Sequence, residues 1–129
     1  MIPTILVIED NPLNLELAHD LLTAAGMKVL EARTAAEGLS TASQSKPTLI
    51  LLDIRLPGMD GFAVLERLKS SPATVSIPVV ALTAQAMMGD REQALAAGFD
   101  EYIAKPIDTR TFAAQVRAIL DPPKRAVGR

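Results

Sequence analysis

Four short apolar runs of this chain each end in a polar residue able to do chemistry. Thr4–Ile8 stops at Glu9-Asp10, Thr48–Leu52 at Asp53, Pro78–Leu82 at Thr83, and Tyr102–Ala104 at Lys105-Pro106. Three carboxylates, a hydroxyl and an ammonium are the groups that a phosphoryl transfer uses. Held close together and unaided, the carboxylates would force a proton onto one of their number. A divalent cation and a lysine are two means of keeping all three ionised. An all-oxygen donor set favours Mg²⁺ or Mn²⁺ over zinc. Mg²⁺ typically takes only one or two protein carboxylates beside a phosphoryl oxygen. Asp53 is then also free to act as a nucleophile and form an aspartyl phosphate. Negative charge on the equatorial oxygens of that transition state is stabilised by metal, ammonium, hydroxyl and N–H donors, and Lys105 and Thr83 supply two of these.

Taken singly, each residue has a plainer reading. An Asp after a strand is usually a turn or helix cap, Thr83 suits an N-cap, and Lys105-Pro106 suits an exposed turn. Their convergence at matching strand ends favours the chemical reading. His19 has no Ser or Cys nucleophile motif beside it and reads as solvent-facing. Arg33, Lys124 and Arg125 read as solvated charges, and Met87-Met88 as a surface patch or loop packing. No glycine fingerprint for phosphate binding is present.

The elements that position these residues alternate between strand-length apolar runs and helix-length amphipathic stretches, the pattern of repeated βα units. Asn11-Pro12 opens the first helix as N-cap and first helical residue. Leu17, Ala18, Leu21, Leu22 and Ala25 form its stripe, and Gly26 ends it. A short second strand, Lys28–Ala32, precedes a weakly amphipathic helix over Ala35–Gln44. Asp60-Gly61 leads from a Pro57-Gly58 turn into a helix that buries Val64, Leu65 and Leu68. Gly89 interrupts the next pattern, so the fourth helix is expected from Asp90 to Gly98. The fifth is expected from Asp108 as N-cap, burying Phe112, Val116, Ile119 and Leu120. The expectation is one doubly wound α/β domain with five parallel strands, five helices and flavodoxin-like strand order 2-1-3-4-5. That order sets the first and third strands side by side, with the site outside their carboxyl ends.

Composition narrows the classes. The chain has 129 residues, 49% of them apolar, which suits one domain with a full core. Its formal charge of −2 gives no electrostatic case for nucleic acid or an anionic membrane. It contains no cysteine, which excludes disulfides and thiol chemistry. No apolar run approaches the ~20 residues of a membrane span, and the start lacks a signal-peptide pattern. A cytoplasmic protein is expected, with residues 1–121 as the domain and the basic residues 122–129 as a disordered tail.

Val7-Ile8-Glu9-Asp10-Asn11, Leu52-Asp53-Ile54-Arg55-Leu56-Pro57-Gly58-Met59-Asp60-Gly61, Ala81-Leu82-Thr83-Ala84 and Ala104-Lys105-Pro106 resemble, in order and spacing, the receiver domain of bacterial response regulators, CheY-like in fold. The resemblance covers Thr4 to Leu120. It implies that Asp53 accepts a phosphoryl group from a histidine kinase or histidine phosphotransfer protein. Glu9, Asp10, Asp53 and the backbone carbonyl of Arg55 would organise Mg²⁺, with Glu9 acting through water. Lys105, Thr83 and the small Ala84 would meet the phosphoryl group, Thr83 and Tyr102 would be paired switch residues, and Pro106 would follow a cis peptide. Arg55, Met59 and Gln85 border the site where receivers vary. The stretch from Thr83 through Pro106 is similar to DivK-like single-domain regulators, and receivers of hybrid kinases share much of it. Met1 and the short tail suggest a stand-alone chain.

The leading expectation is a phosphorylation-gated binding module without independent substrate turnover. Its output is expected through the fourth helix, fifth strand and fifth helix, to a protein partner rather than to DNA. Alternatives are a receiver fragment of a hybrid histidine kinase, and a Mg²⁺-dependent phosphohydrolase with an Asp nucleophile. The second would want another Asp two residues after Asp53, where Arg55 stands. A flavin-binding protein of this fold would want a Ser/Thr/Gly-rich loop where Glu9-Asp10 stands.

Overall fold

The apolar runs form the strands and the amphipathic stretches form the helices, in strict alternation. A computed structural model describes residues 2–56, 58–83 and 90–121. Along the chain lie β1 (Thr4–Ile8), α1 (Pro12–Ala24), β2 (Lys28–Ala32), α2 (Ala35–Ser45), β3 (Leu49–Asp53), α3 (Gly61–Ser70), β4 (Val79–Thr83), α4 (Asp90–Ala97), β5 (Glu101–Ala104) and α5 (Phe112–Leu120). All pairings are parallel, and the sheet order is β2-β1-β3-β4-β5, as expected. The polar β2 and the short β5 are the edges. β1 and β3 are central neighbours, with Ile8 opposite Leu52.

Alternation along the strands divides the core into two layers. Leu6, Ile8, Ile50, Leu52, Val79 and Ala81 pack with Ala42, Val64, Leu65, Leu68 and Ala94. Ile5, Val7, Leu49, Leu51, Val80 and Leu82 pack on the other side with Leu15, Ala18, Leu22, Phe112 and Val116. Every residue of β3 is buried, as a central strand covered on both faces requires. Asp53 is its last residue and therefore inherits that rigid setting.

Local chemistry sets the helix starts next to the sheet edge. The Asn11 side chain accepts from Leu13 and Asn14 N–H, with Pro12 at the first helical position. Such caps are worth about 0.5–2 kcal/mol. The Asp60 side chain accepts from Ala63 N–H at 2.9 Å and caps α3. Gly61 is forced by a close approach, since a Cβ there would stand 2.6 Å from the Ile54 Cα. This packs the start of α3 directly against the segment that follows Asp53.

Two sequence expectations shift. The α1 stripe runs through Leu15, Ala18 and Leu22, while Leu17, Leu21 and Ala25 are half-buried against it. The fifth helix begins at Phe112 rather than after an Asp108 cap. The Asp108 side chain instead accepts from Arg110 N–H at 2.9 Å. That Asx-type bond two residues on holds a turn, and the helix starts one turn later. Ala84, Gln85, Met87, Met88, Gly89, Pro57 and the tail 122–129 lie outside the described residues.

Candidate metal and phosphoryl site

The parallel sheet brings the ends of β1, β3, β4 and β5 to one edge. Glu9 follows β1, and its N–H donates to Ala32 O at 3.0 Å, continuing the sheet by one residue. This drives its carboxylate inward, and the residue is 1% exposed. Oε2 accepts from Asn11 N–H at 3.1 Å. Oε1 lies 2.6 Å from Lys105 Nζ. Burial pushes the Glu9 carboxyl above its ordinary value. Contacts with Lys105 and the Asn11 N–H work against that rise, and the Asp53 charge adds to it.

Asp53 is 4% exposed and held from two sides. Arg55 N–H donates to Oδ1 at 3.0 Å. Lys105 Nζ stands 3.3 Å from Oδ2. Lys105 is itself fixed by its own N–H, which donates to Thr83 O at 2.7 Å, and the following Lys105-Pro106 bond is cis, as the resemblance implied. Thr83, last in β4 and buried, stands opposite Ala104, while Tyr102 stands opposite Ala81 on the same strand pair. One carboxylate oxygen from each of Glu9, Asp10 and Asp53 falls within 4.8 Å of the others. Each oxygen of Glu9 and of Asp53 already faces a protein partner, and Asp10, only half-buried, is the more open carboxylate of the three. Two hard carboxylates backed by a third fit Mg²⁺, which keeps several waters.

The structure thus gathers Glu9, Asp10, Asp53, Thr83 and Lys105 at one edge, and sets Tyr102 on the neighbouring stretch of β5. Ala84 lies outside the described residues. Backbone donors were not legible in the sequence: the Arg55 and Asn11 amides orient Asp53 and Glu9, each two residues from its acceptor. His19 stands apart from the site, half-exposed and 2.9 Å from Glu31 Oε2.

This chain belongs to the response regulator receiver domain family, whose sequence model matches residues 5–117. It is 38% identical over 120 residues to the polar-differentiation response regulator DivK of Brucella ovis, covering 93% of this chain and 98% of that protein. Its fold is similar to a CheY-like response regulator receiver domain protein from Methanospirillum hungatei JF-1, with a TM-score of 0.83 and 30% identity over 94% of this chain and 95% of that one. It is also similar to the receiver domain of the sensor histidine kinase PA1611 from Pseudomonas aeruginosa PAO1, solved with magnesium coordinated in the active-site cleft. There the TM-score is 0.80 and the identity 32%, over 93% of this chain and 95% of that one. Two-component signalling is therefore the setting, with histidine kinases or phosphotransfer proteins as the class of partner. Among the described residues no helix is long and apolar enough to cross a membrane.

Proposed function

We propose that this chain is a stand-alone receiver in the cytoplasm that takes a phosphoryl group on Asp53 and thereby changes its affinity for a protein partner. The observation that carries this reading is the setting of Asp53. Its Oδ1 is fixed by the Arg55 amide at 3.0 Å and its Oδ2 faces Lys105 at 3.3 Å, with an oxygen each from Glu9 and Asp10 close by. A carboxylate so held is oriented for attack before any donor arrives.

An Asp53 oxygen forms a bond to phosphorus while the bond from phosphorus to the donor's imidazole nitrogen breaks, and the electron pair leaves on that nitrogen. Asp10, Asp53 and the Arg55 carbonyl, with Glu9 through water, would hold Mg²⁺ or Mn²⁺. When bound, the ion neutralises charge on the phosphoryl oxygens. The Lys105 ammonium offers a second positive partner to those oxygens. Thr83 offers a hydroxyl donor. Moving Thr83 towards the phosphoryl group opens space for Tyr102, so the two act as a paired switch. The chain modifies itself and turns over no independent substrate.

The output leaves through α4, β5 and α5, where Arg91 and Gln93 of α4 are exposed, as is Arg110 in the turn before α5. The partner is a protein, since a formal charge of −2 offers little to DNA. Support for a stand-alone receiver comes from DivK relatives matched over 98% of their own length. The likeness to a sensor-kinase receiver favours the second reading, a receiver from a hybrid kinase. A small phosphodonor with Mg²⁺ should label the protein once, by intact mass, and Asp53→Asn should abolish the label. Undiminished labelling of that variant would overturn the assignment.

A further inference from the structure

α4 is held to the body of the protein by little apolar contact. Of its described side chains only Ala94 is buried, and Leu95 is half-buried. α3 by contrast buries Val64, Leu65 and Leu68, and α5 buries Phe112 and Val116. Where apolar anchoring is weak, a single polar contact carries a larger share of a helix's placement.

One such contact spans α4 and β5. Arg91, in the first turn of α4, sets Nη2 3.1 Å from Glu101 Oε1 and 3.4 Å from Oε2. Glu101 opens β5, the edge strand. The same Oε1 also accepts from Tyr102 N–H at 3.1 Å. Lys105 N–H donates inward to Thr83 O, so the alternation along a strand turns the Tyr102 N–H outward, to the open edge. One carboxylate oxygen therefore joins the start of α4 to the backbone of Tyr102.

We propose that Arg91 and Glu101 form a clasp that is closed in the resting receiver, holds α4 against the β5 edge beside Tyr102, and opens when a phosphoryl group occupies the site. The proposal rests on the phosphoryl-switch reading above. A contact present in both states would bias neither, so the clasp shifts the equilibrium only because one state lacks it. Arg91 and Glu101 are 56% and 33% exposed at the side chain, so the effect is modest and screened by salt.

The test follows Tyr102 resonances by NMR while beryllofluoride, a phosphoryl mimic, is titrated with Mg²⁺ into the full chain. Arg91→Ala and Glu101→Gln should each lower the half-saturating concentration roughly two- to fivefold, the range of an exposed ion pair. Glu101→Gln keeps an oxygen for the Tyr102 N–H and so isolates the charge. The double variant should go no further than either single one. Arg91→Glu should lower the midpoint at least as far as Arg91→Ala, and adding Glu101→Arg should bring it back part of the way, since an arginine there restores the ion pair but offers no acceptor to the Tyr102 N–H. Unchanged midpoints, or additive effects in the double variant, with a wild type that responds, would overturn the clasp alone. A wild type whose Tyr102 resonances ignore the mimic would overturn both the clasp and the switch beneath it.

Discussion

Lys105 Nζ stands closer to Glu9, at 2.6 Å, than to the proposed phosphoacceptor Asp53, at 3.3 Å. Without metal, the ammonium is the positive charge that lets buried carboxylates share one pocket. A bound divalent ion would take over much of that work and leave Lys105 free to turn to a phosphoryl oxygen. On that reading Lys105 would have two successive partners, and its loss should be felt differently in the two conditions.

In chelator-containing buffer, Lys105→Ala should lower stability by about 3 kcal/mol, because it strands buried negative charge. Saturating Mg²⁺ should return much of that loss. Phosphorylation by a small donor should be slower at every Mg²⁺ concentration, while Mg²⁺ affinity stays level or rises as a competing cation is removed. Urea unfolding and mass-detected labelling measure these effects. Equal stability loss with and without metal would remove the counter-ion role.

Glu9 sets a pH dependence whose sign follows from its raised pKa. The folded protein holds the Glu9 proton more tightly than the unfolded chain, whose value lies near 4.5. Its contribution is fully present below that value and is lost as pH rises through the higher folded value. In metal-free buffer, wild type should therefore lose melting temperature relative to Glu9→Gln as pH climbs from about 4.5 towards neutrality. The gap should narrow when Mg²⁺ is added. A constant difference across that range would mean that Glu9 titrates alike in both states.

Two buried glycines should differ in what their substitution harms. A Cβ at Gly38 would meet Ile8 Cδ1 at 2.5 Å, the mobile end of a side chain. Gly38→Ala should cost about 1–3 kcal/mol through overpacking, with Ile8→Val relieving part of it and phosphorylation intact. At Gly61 the Cβ would meet the Ile54 Cα at 2.6 Å and Asp53 O at 3.0 Å, so the backbone itself must move. Gly61→Ala should lower both stability and the rate of labelling at Asp53. Thermal melts paired with labelling rates check the contrast, and a Gly61→Ala protein labelled at the normal rate would contradict it.

Strand order and site membership were legible because both follow from coarse pattern. Apolar runs mark central strands whatever packs on them, and a parallel sheet sends their last residues to one edge. Finer features were hidden where local chemistry had two outcomes. Asp108 has the right type for a helix cap, but its side chain closes a turn to Arg110 instead. Gly38 lay in an Ala/Ser-rich helix whose weak periodicity concealed how closely α2 rests on β1. The choice of Lys105 for Glu9 over Asp53 depends on ångström-scale reach, which residue spacing does not encode.

Thr83 should separate receiving the phosphoryl group from responding to it. It is 4% exposed at the end of β4, one register step beyond Leu82 opposite Ile103 and two beyond Ala81 opposite Tyr102. Its hydroxyl supplies no carboxylate, ammonium or metal ligand, so the nucleophile and its orienting Arg55 amide remain in Thr83→Ala. Labelling at Asp53 should continue. A switch, however, needs a contact made better in one state than the other, and couplings of this kind are about 1–3 kcal/mol. Without the hydroxyl, most of that bias on Tyr102 should vanish. The measurement compares beryllofluoride-induced NMR shifts at Tyr102 in both proteins, at concentrations that saturate each. Shifts of equal size would show that Tyr102 receives the signal by a route other than Thr83.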